Sequence, residues 1–95
     1  MLRPALIAKS TSFPGREVDF VLRRGRDIHA VECKMNPDRF NPEFLAVFRG
    51  LYPQGRNYLV CPGIEEPYDR RFDKLILRVT GCQGLLRELG DSFSL

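Results

Sequence analysis

Two strand-like runs, Glu17 to Leu22 and Asp27 to Lys34, flank Arg23-Arg24-Gly25-Arg26, and this arrangement commits the first half of the chain to a β-hairpin. Both arms carry charge at regular intervals. Side chains alternate between the faces of a strand, so Glu17 and Asp19 share one face of the first arm, and Glu32 and Lys34 share one face of the second. Turn length decides whether the two pairs meet. A loop of two residues, Arg24-Gly25, or of four, Arg23 to Arg26, puts Glu17 opposite Glu32 and turns all four groups the same way. A three-residue loop puts the pairs on opposite faces. If they converge, three carboxylates and one ammonium lie together, which is the make-up of a divalent-metal phosphodiesterase centre. Carboxylates hold a hard cation through oxygen, and a neighbouring lysine orients or deprotonates a water that attacks phosphate.

The remaining pattern is that of an α/β fold with a small mixed β-sheet and flanking helices. Leu2 to Ala8 reads as a short strand and Ser10 to Gly15 as a turn. In the second arm, Ile28 and Ala30 lie on the face of Glu32, while His29, Val31 and Cys33 lie on the other, and apolar residues on both faces mark a covered strand. Asn41 is a helix cap, Pro42 suits the first helical position and Glu43 the first turn, so a helix is expected from there to about Leu51. Phe44, Leu45, Val47, Phe48 and Leu51 form its apolar stripe, and Pro53 with Gly55 ends it. Asn57 to Cys61 is a short buried strand. Strand, helix and strand in this order give a right-handed crossover with the new strand parallel to the one bearing Glu32. Ile64 to Asp73 reads as a surface loop, Lys74 to Thr80 as a strand, and Cys82 to Leu89 as a helix packing Leu85, Leu86 and Leu89.

At 95 residues, 43% of them apolar, the chain amounts to one domain, residues 1–95, with a modest core. No apolar run approaches the roughly 18 residues of a membrane span, and no apolar leader marks a secretory signal, which points to the cytoplasm. Cys33, Cys61 and Cys82 are far apart and outside any Cys-x-x-Cys motif, so reduced structural thiols are expected. The net charge is +3, and twelve of the fifteen basic residues are arginines. Their planar forks suit phosphate oxygens. Arg23, Arg24 and Arg26 in the turn, and Arg70 and Arg71 beside Tyr68, are the candidate contacts to DNA; a solvated surface with scattered ion pairs is the alternative.

Glu17-Val18-Asp19-Phe20-Val21-Leu22 followed by His29-Ala30-Val31-Glu32-Cys33-Lys34 resembles the D…ExK signature of the restriction-endonuclease-like (PD-(D/E)xK) superfamily. The run from Glu17 through Gly63, including Phe48-Arg49, Leu51-Tyr52-Pro53, Gly55 and Asn57-Tyr58-Leu59-Val60, more closely resembles the C-terminal domain that follows an AAA+-type ATPase module in uncharacterised prokaryotic ATPases. The superfamily resemblance implies Mg²⁺ or Mn²⁺ held by Asp19, Glu32 and the Cys33 carbonyl, with Lys34 acting on the water. Glu17 matches an acidic position common in the nearer family. The chain departs from the pattern in two ways. It lacks the N-terminal helix that supplies a further glutamate in many active members, and it has no Gly-x-x-x-x-Gly-Lys-Ser/Thr loop, so the expectation is a fragment or stand-alone remnant of a larger ATPase architecture.

Two readings follow. One is a metal-dependent DNA phosphodiesterase built on Asp19, Glu32, Lys34 and Glu17. The other is a non-catalytic module that recognises nucleic acid or protein beside an ATPase partner, the carboxylates then forming an ion-pair cluster with Lys34. Self-association through an exposed sheet edge is a further option. His29 points away from the carboxylates and is expected to pack or hydrogen-bond. Phe40, Phe44, Phe48 and Tyr52 are spaced as core rather than as a base-stacking set.

Overall fold

In the computed structural model, residues 5–8, 11–13, 16–18 and 20–92 are described, with side chains from 20 to 90. Six strands form one mixed sheet in the order β1, β4, β5, β6, β8, β7: Ala5–Ala8, Phe20–Arg24, Asp27–Cys33, Asn57–Val60, Leu75–Thr80 and Tyr68–Phe72. The two remaining strands, β2 (Thr11–Phe13) and β3 (Arg16–Val18), make a separate antiparallel ribbon. Helix α1 (Pro42–Leu51) and helix α2 (Cys82–Ser92) flank the sheet, and a short 3₁₀ turn at Pro37–Arg39 leads into α1.

Strands β4 and β5 are antiparallel, and β5, β6 and β8 are mutually parallel. The register sorts the side chains into two layers. Val21, Ala30, Leu59, Leu77 and Val79 form one face and pack with Phe44, Leu45 and Phe48 of α1. Phe40 closes this layer against Phe72, with ring centroids 5.6 Å apart. Removing side chains such as Phe48 and Leu59 wholly from water contributes roughly 1.5–3 kcal/mol each. The opposite face carries His29, Val31, Tyr58 and Thr80, all buried, and α2 contacts β6 and β8 on this side.

Local chemistry explains the helix ends. The Asn41 side-chain oxygen accepts from the Glu43 N–H at 2.9 Å, Pro42 occupies the first turn, and Tyr52 leaves the helical region with its N–H donating to Phe48 O. In α2, Gly84 is where the helix lies against the sheet: a Cβ there would collide with Thr80 Oγ1. The glycine that weakens helix propensity is what allows the close approach.

Several expectations are corrected. The single strand Glu17 to Leu22 is divided between β3 and β4, and the turn expected over Ser10 to Gly15 contains β2. The hairpin turn is Gly25-Arg26, closed by Arg24 opposite Asp27, and not Arg24-Gly25. The loop Ile64 to Asp73 contains β7, an edge strand whose polar residues hide it from a reading based on apolar alternation. On α1, Val47 and Leu51 are 48% and 56% exposed, so the buried stripe narrows to Phe44, Leu45 and Phe48. Leu86 of α2 faces solvent, and that helix continues to Ser92.

Candidate functional site

The carboxyl-terminal ends of β5, β6 and β8 are tied together by backbone bonds. The Lys34 N–H donates to Val60 O at 3.0 Å, and the Cys61 N–H donates to Thr80 O at 2.9 Å. Glu32 stands at this edge, half-buried, in register with Leu59 on the face that α1 covers. Cys33, the last residue of β5, is in register with Val60 and exposed, and the Lys34 side chain is exposed next to it. Cys61 lies behind them; burial pushes its thiol pKa up, against a weaker pull from the Lys34 backbone N–H.

Three expected members of the centre, Glu32, Cys33 and Lys34, therefore share one edge. The other two do not come from the same hairpin ladder as described. Glu17 lies on β3, in register with Ser12, with its side chain outside the described residues, and Asp19 lies outside the described residues altogether. The β4–β5 ladder is shifted by two residues from the one expected, which removes the pairing of Glu17 with Glu32. An even shift preserves which residues share a face. Val21 and Arg23 of β4 accordingly lie on the face of Ala30 and Glu32. Among the described residues, no group of three or more His, Cys, Asp and Glu side chains converges as a metal cluster.

The arginines singled out for nucleic acid stand elsewhere. Arg23, Arg24 and Arg26 occupy the hairpin end of the sheet, and Arg24 pairs with Asp27, five residues before Glu32 on β5. That spacing is about 16 Å along the strand. Arg70 is committed within the fold: Nη1 donates to Pro37 O at 2.9 Å, and the guanidinium lies over the Phe72 ring, 4.8 Å from its centroid. Arg71 and Tyr68 on the edge strand are exposed.

His29 is buried on the α2 side. Its Nδ1 accepts from the Arg56 N–H at 3.0 Å, and its ring meets Tyr58 edge-on. Burial is the largest cause lowering its pKa, with nearby arginines adding to the effect and Asp27 opposing it. The hydrogen-bonding role expected for it is the one it has.

Arg49 carried no role in the sequence reading, yet it organises the connection from α1 to β6. Its Nε donates to Asn57 Oδ1 at 2.6 Å, Nη1 to Tyr52 O and Gln54 O at 3.0 and 3.1 Å, and Nη2 to Arg56 O at 2.7 Å. Asn57 passes the link on to β8, its Nδ2 donating to Ile76 O at 3.1 Å. Desolvation holds the Arg49 pKa at about 10, below the usual guanidinium value. Gly55, at φ +136°, completes the connection where a Cβ would overlap the Ile28 carbonyl. An isolated arginine gives no warning in sequence that it will bind three loop carbonyls.

The chain matches the family described as Domain of unknown function (DUF4143) over residues 5–80. It belongs to the DUF4143 family. The matched span takes in the eight strands among the described residues and α1, and stops just before α2. Searches of curated proteins and of solved structures each found no match to this DUF4143 chain.

Proposed function

We propose that the chain is a restriction-endonuclease-like domain that binds Mg²⁺ or Mn²⁺ and hydrolyses phosphodiester bonds in DNA. The observation that carries this reading is the two-residue turn Gly25-Arg26. It keeps the even parity under which the odd-numbered positions of β4, Val21 and Arg23, share a face with Ala30 and Glu32. The mixed sheet with Glu32 at the end of a parallel strand, and α1 connecting that strand to its neighbour, is compatible with such a core. Asp19, Glu32 and the Cys33 carbonyl would hold the cation, with Glu17 as a further acidic group near them. Once bound, the cation supplies positive charge to a non-bridging phosphate oxygen. Lys34, exposed at the strand end, would steer the attacking water.

Calorimetric titration of Mn²⁺ into the chain, beside Asp19→Ala and Glu32→Ala, tests the reading without a chosen substrate. Binding that either substitution abolishes supports it, and absence of binding in the parent chain rejects it. Lys34→Ala should bind Mn²⁺ within about threefold of the parent while removing any DNA cleavage.

A second reading is a non-catalytic recognition module that serves an ATPase partner. It is favoured by the separation of Arg23, Arg24 and Arg26 from Glu32 along β5, since contacts to an anionic partner at the hairpin end need no metal at the other. Salt-sensitive DNA binding in EDTA that is unchanged by Asp19→Ala and falls with Arg23→Ala and Arg26→Ala would select this reading.

A further inference from the structure

At the amino-terminal ends of β6 and β8, away from Glu32 and Lys34, lies a cleft of about 770 Å³. The volume is in the range of small-molecule sites, roughly 300–1,000 Å³. Four cations line it, Arg49, Arg56, Lys74 and Arg78, against two carboxylates, Asp69 and Glu88, which leaves a surplus of two positive charges. The two carboxylates share one of those cations. Arg78 Nη1 lies 3.1 Å from Asp69 and Nε lies 3.0 Å from Glu88.

The other three cations differ in how they are held. Arg49 is fixed among neutral groups, its hydrogen bonds going to one side-chain amide and three backbone carbonyls, so its charge is oriented but not neutralised by a carboxylate in hydrogen-bond range among the described residues. Arg56 is held at its backbone, whose N–H donates to His29 Nδ1 at 3.0 Å, and its side chain is exposed. Lys74 sits in the two-residue turn between β7 and β8, exposed, where the left-handed backbone of Asp73 brings the chain around. Pro53, Leu75 and Ile76 add apolar wall beside these charges. One fixed guanidinium with an exposed guanidinium and an exposed ammonium beside it suits phosphate oxygens.

We propose that this cleft binds a phosphomonoester whose organic part is apolar or aromatic. A phosphomonoester carries a charge near −2 at neutral pH, which matches the surplus; a lone carboxylate would neutralise only half of it. Arg56 and Lys74 contact the phosphate, Arg49 supplies the fixed field behind them, and Pro53, Leu75 and Ile76 receive the organic part. The phosphate can come from a small phosphorylated metabolite or from the 5′ end of a nucleic acid strand. The site is independent of the proposed metal centre, so it is tested in EDTA.

The experiment is calorimetric titration of a nucleoside 5′-monophosphate into the 95-residue chain at fixed salt, with the matching nucleoside as comparison. The expected result is binding at least tenfold tighter for the monophosphate. Lys74→Glu, at an exposed turn, should weaken it at least tenfold, while the same charge change at Arg39 in the 3₁₀ turn should alter it less than twofold. No binding of the monophosphate at millimolar concentration overturns the proposal. So do equal binding of the nucleoside, indifference to Lys74→Glu, and an equal loss in Arg39→Glu. Oligonucleotides with a 5′-phosphate or a 5′-hydroxyl give the source: Lys74-dependent preference for the phosphorylated strand over both its hydroxyl twin and the monophosphate assigns a nucleic acid end, and preference for the monophosphate assigns a small molecule.

Discussion

His29 shows how one buried residue links the sheet to solution pH. Its Nδ1 is occupied as an acceptor for the Arg56 N–H, so the neutral ring is the form the fold uses, and protonation there would sever that bond. Its pKa is lowered in the folded chain from an ordinary value of 6.5, chiefly by burial. The unfolded chain therefore takes up the proton first as pH falls, and stability decreases with it. The full contribution is present above about pH 6.5 and is lost progressively below it, with a slope of at most about 1.4 kcal/mol per pH unit for one proton. Urea midpoints measured from pH 7.5 to 5.0 should fall, and His29→Gln should flatten that dependence between pH 6.5 and 5.5. An unchanged slope would assign it to other groups. The role of His29 was legible from parity alone. Arg49 was not, because its partners are backbone carbonyls, whose positions depend on the path of a loop and not on residue identity.

Among the elements, α2 separates intrinsic propensity from packing. It contains two glycines in different surroundings: Gly84 faces Thr80 Oγ1 and Pro67, whereas a Cβ on Gly90 would meet nothing within 4 Å. Alanine is favoured over glycine inside a helix by roughly 0.5–1 kcal/mol. Gly90→Ala should therefore raise the melting temperature by a few degrees. Gly84→Ala should lower it, because the helix must move off β8, at a cost of about 1–3 kcal/mol typical of overpacking. Thermal unfolding followed by circular dichroism reads both signs. Elements with a clear apolar period, β5, α1, β6 and β8, were readable in the sequence, as was the Asn41 cap. Strands β2 and β7 were not, and β3 was read as continuous with β4. Short strands rich in serine, threonine and charge have little apolar area to alternate, so the period gives no signal even though each pairs with its neighbour in sequence. For the candidate site, the neighbouring places of Glu32, Cys33 and Lys34 at one strand end were legible. The register was not, because it depended on which two residues made the turn.

At the scale of the whole molecule, the two ends of the parallel strands carry different sets of residues. The proposed metal centre and the ends of β5, β6 and β8 occupy one edge, and the cationic cleft with the Arg23 to Arg26 hairpin occupies the other. All three thiols lie at the first of these edges, where burial separates them. Cys33 ends β5 and Cys82 begins α2, both exposed, whereas Cys61 is completely buried. Maleimide at neutral pH should add two labels to the native chain, and a third only when denaturant opens the core. Mass spectrometry after proteolysis should find the native labels on Cys33 and Cys82, and early modification of Cys61 would contradict its burial. Both reactive thiols lie on the strand-end edge and none lines the cleft, so the chain carries its own reporters for one pole of the molecule. A fluorine tag on Cys33, beside Glu32, would broaden in the resonance spectrum when paramagnetic Mn²⁺ arrived at that pole, and would stay sharp when a phosphate ligand filled the other.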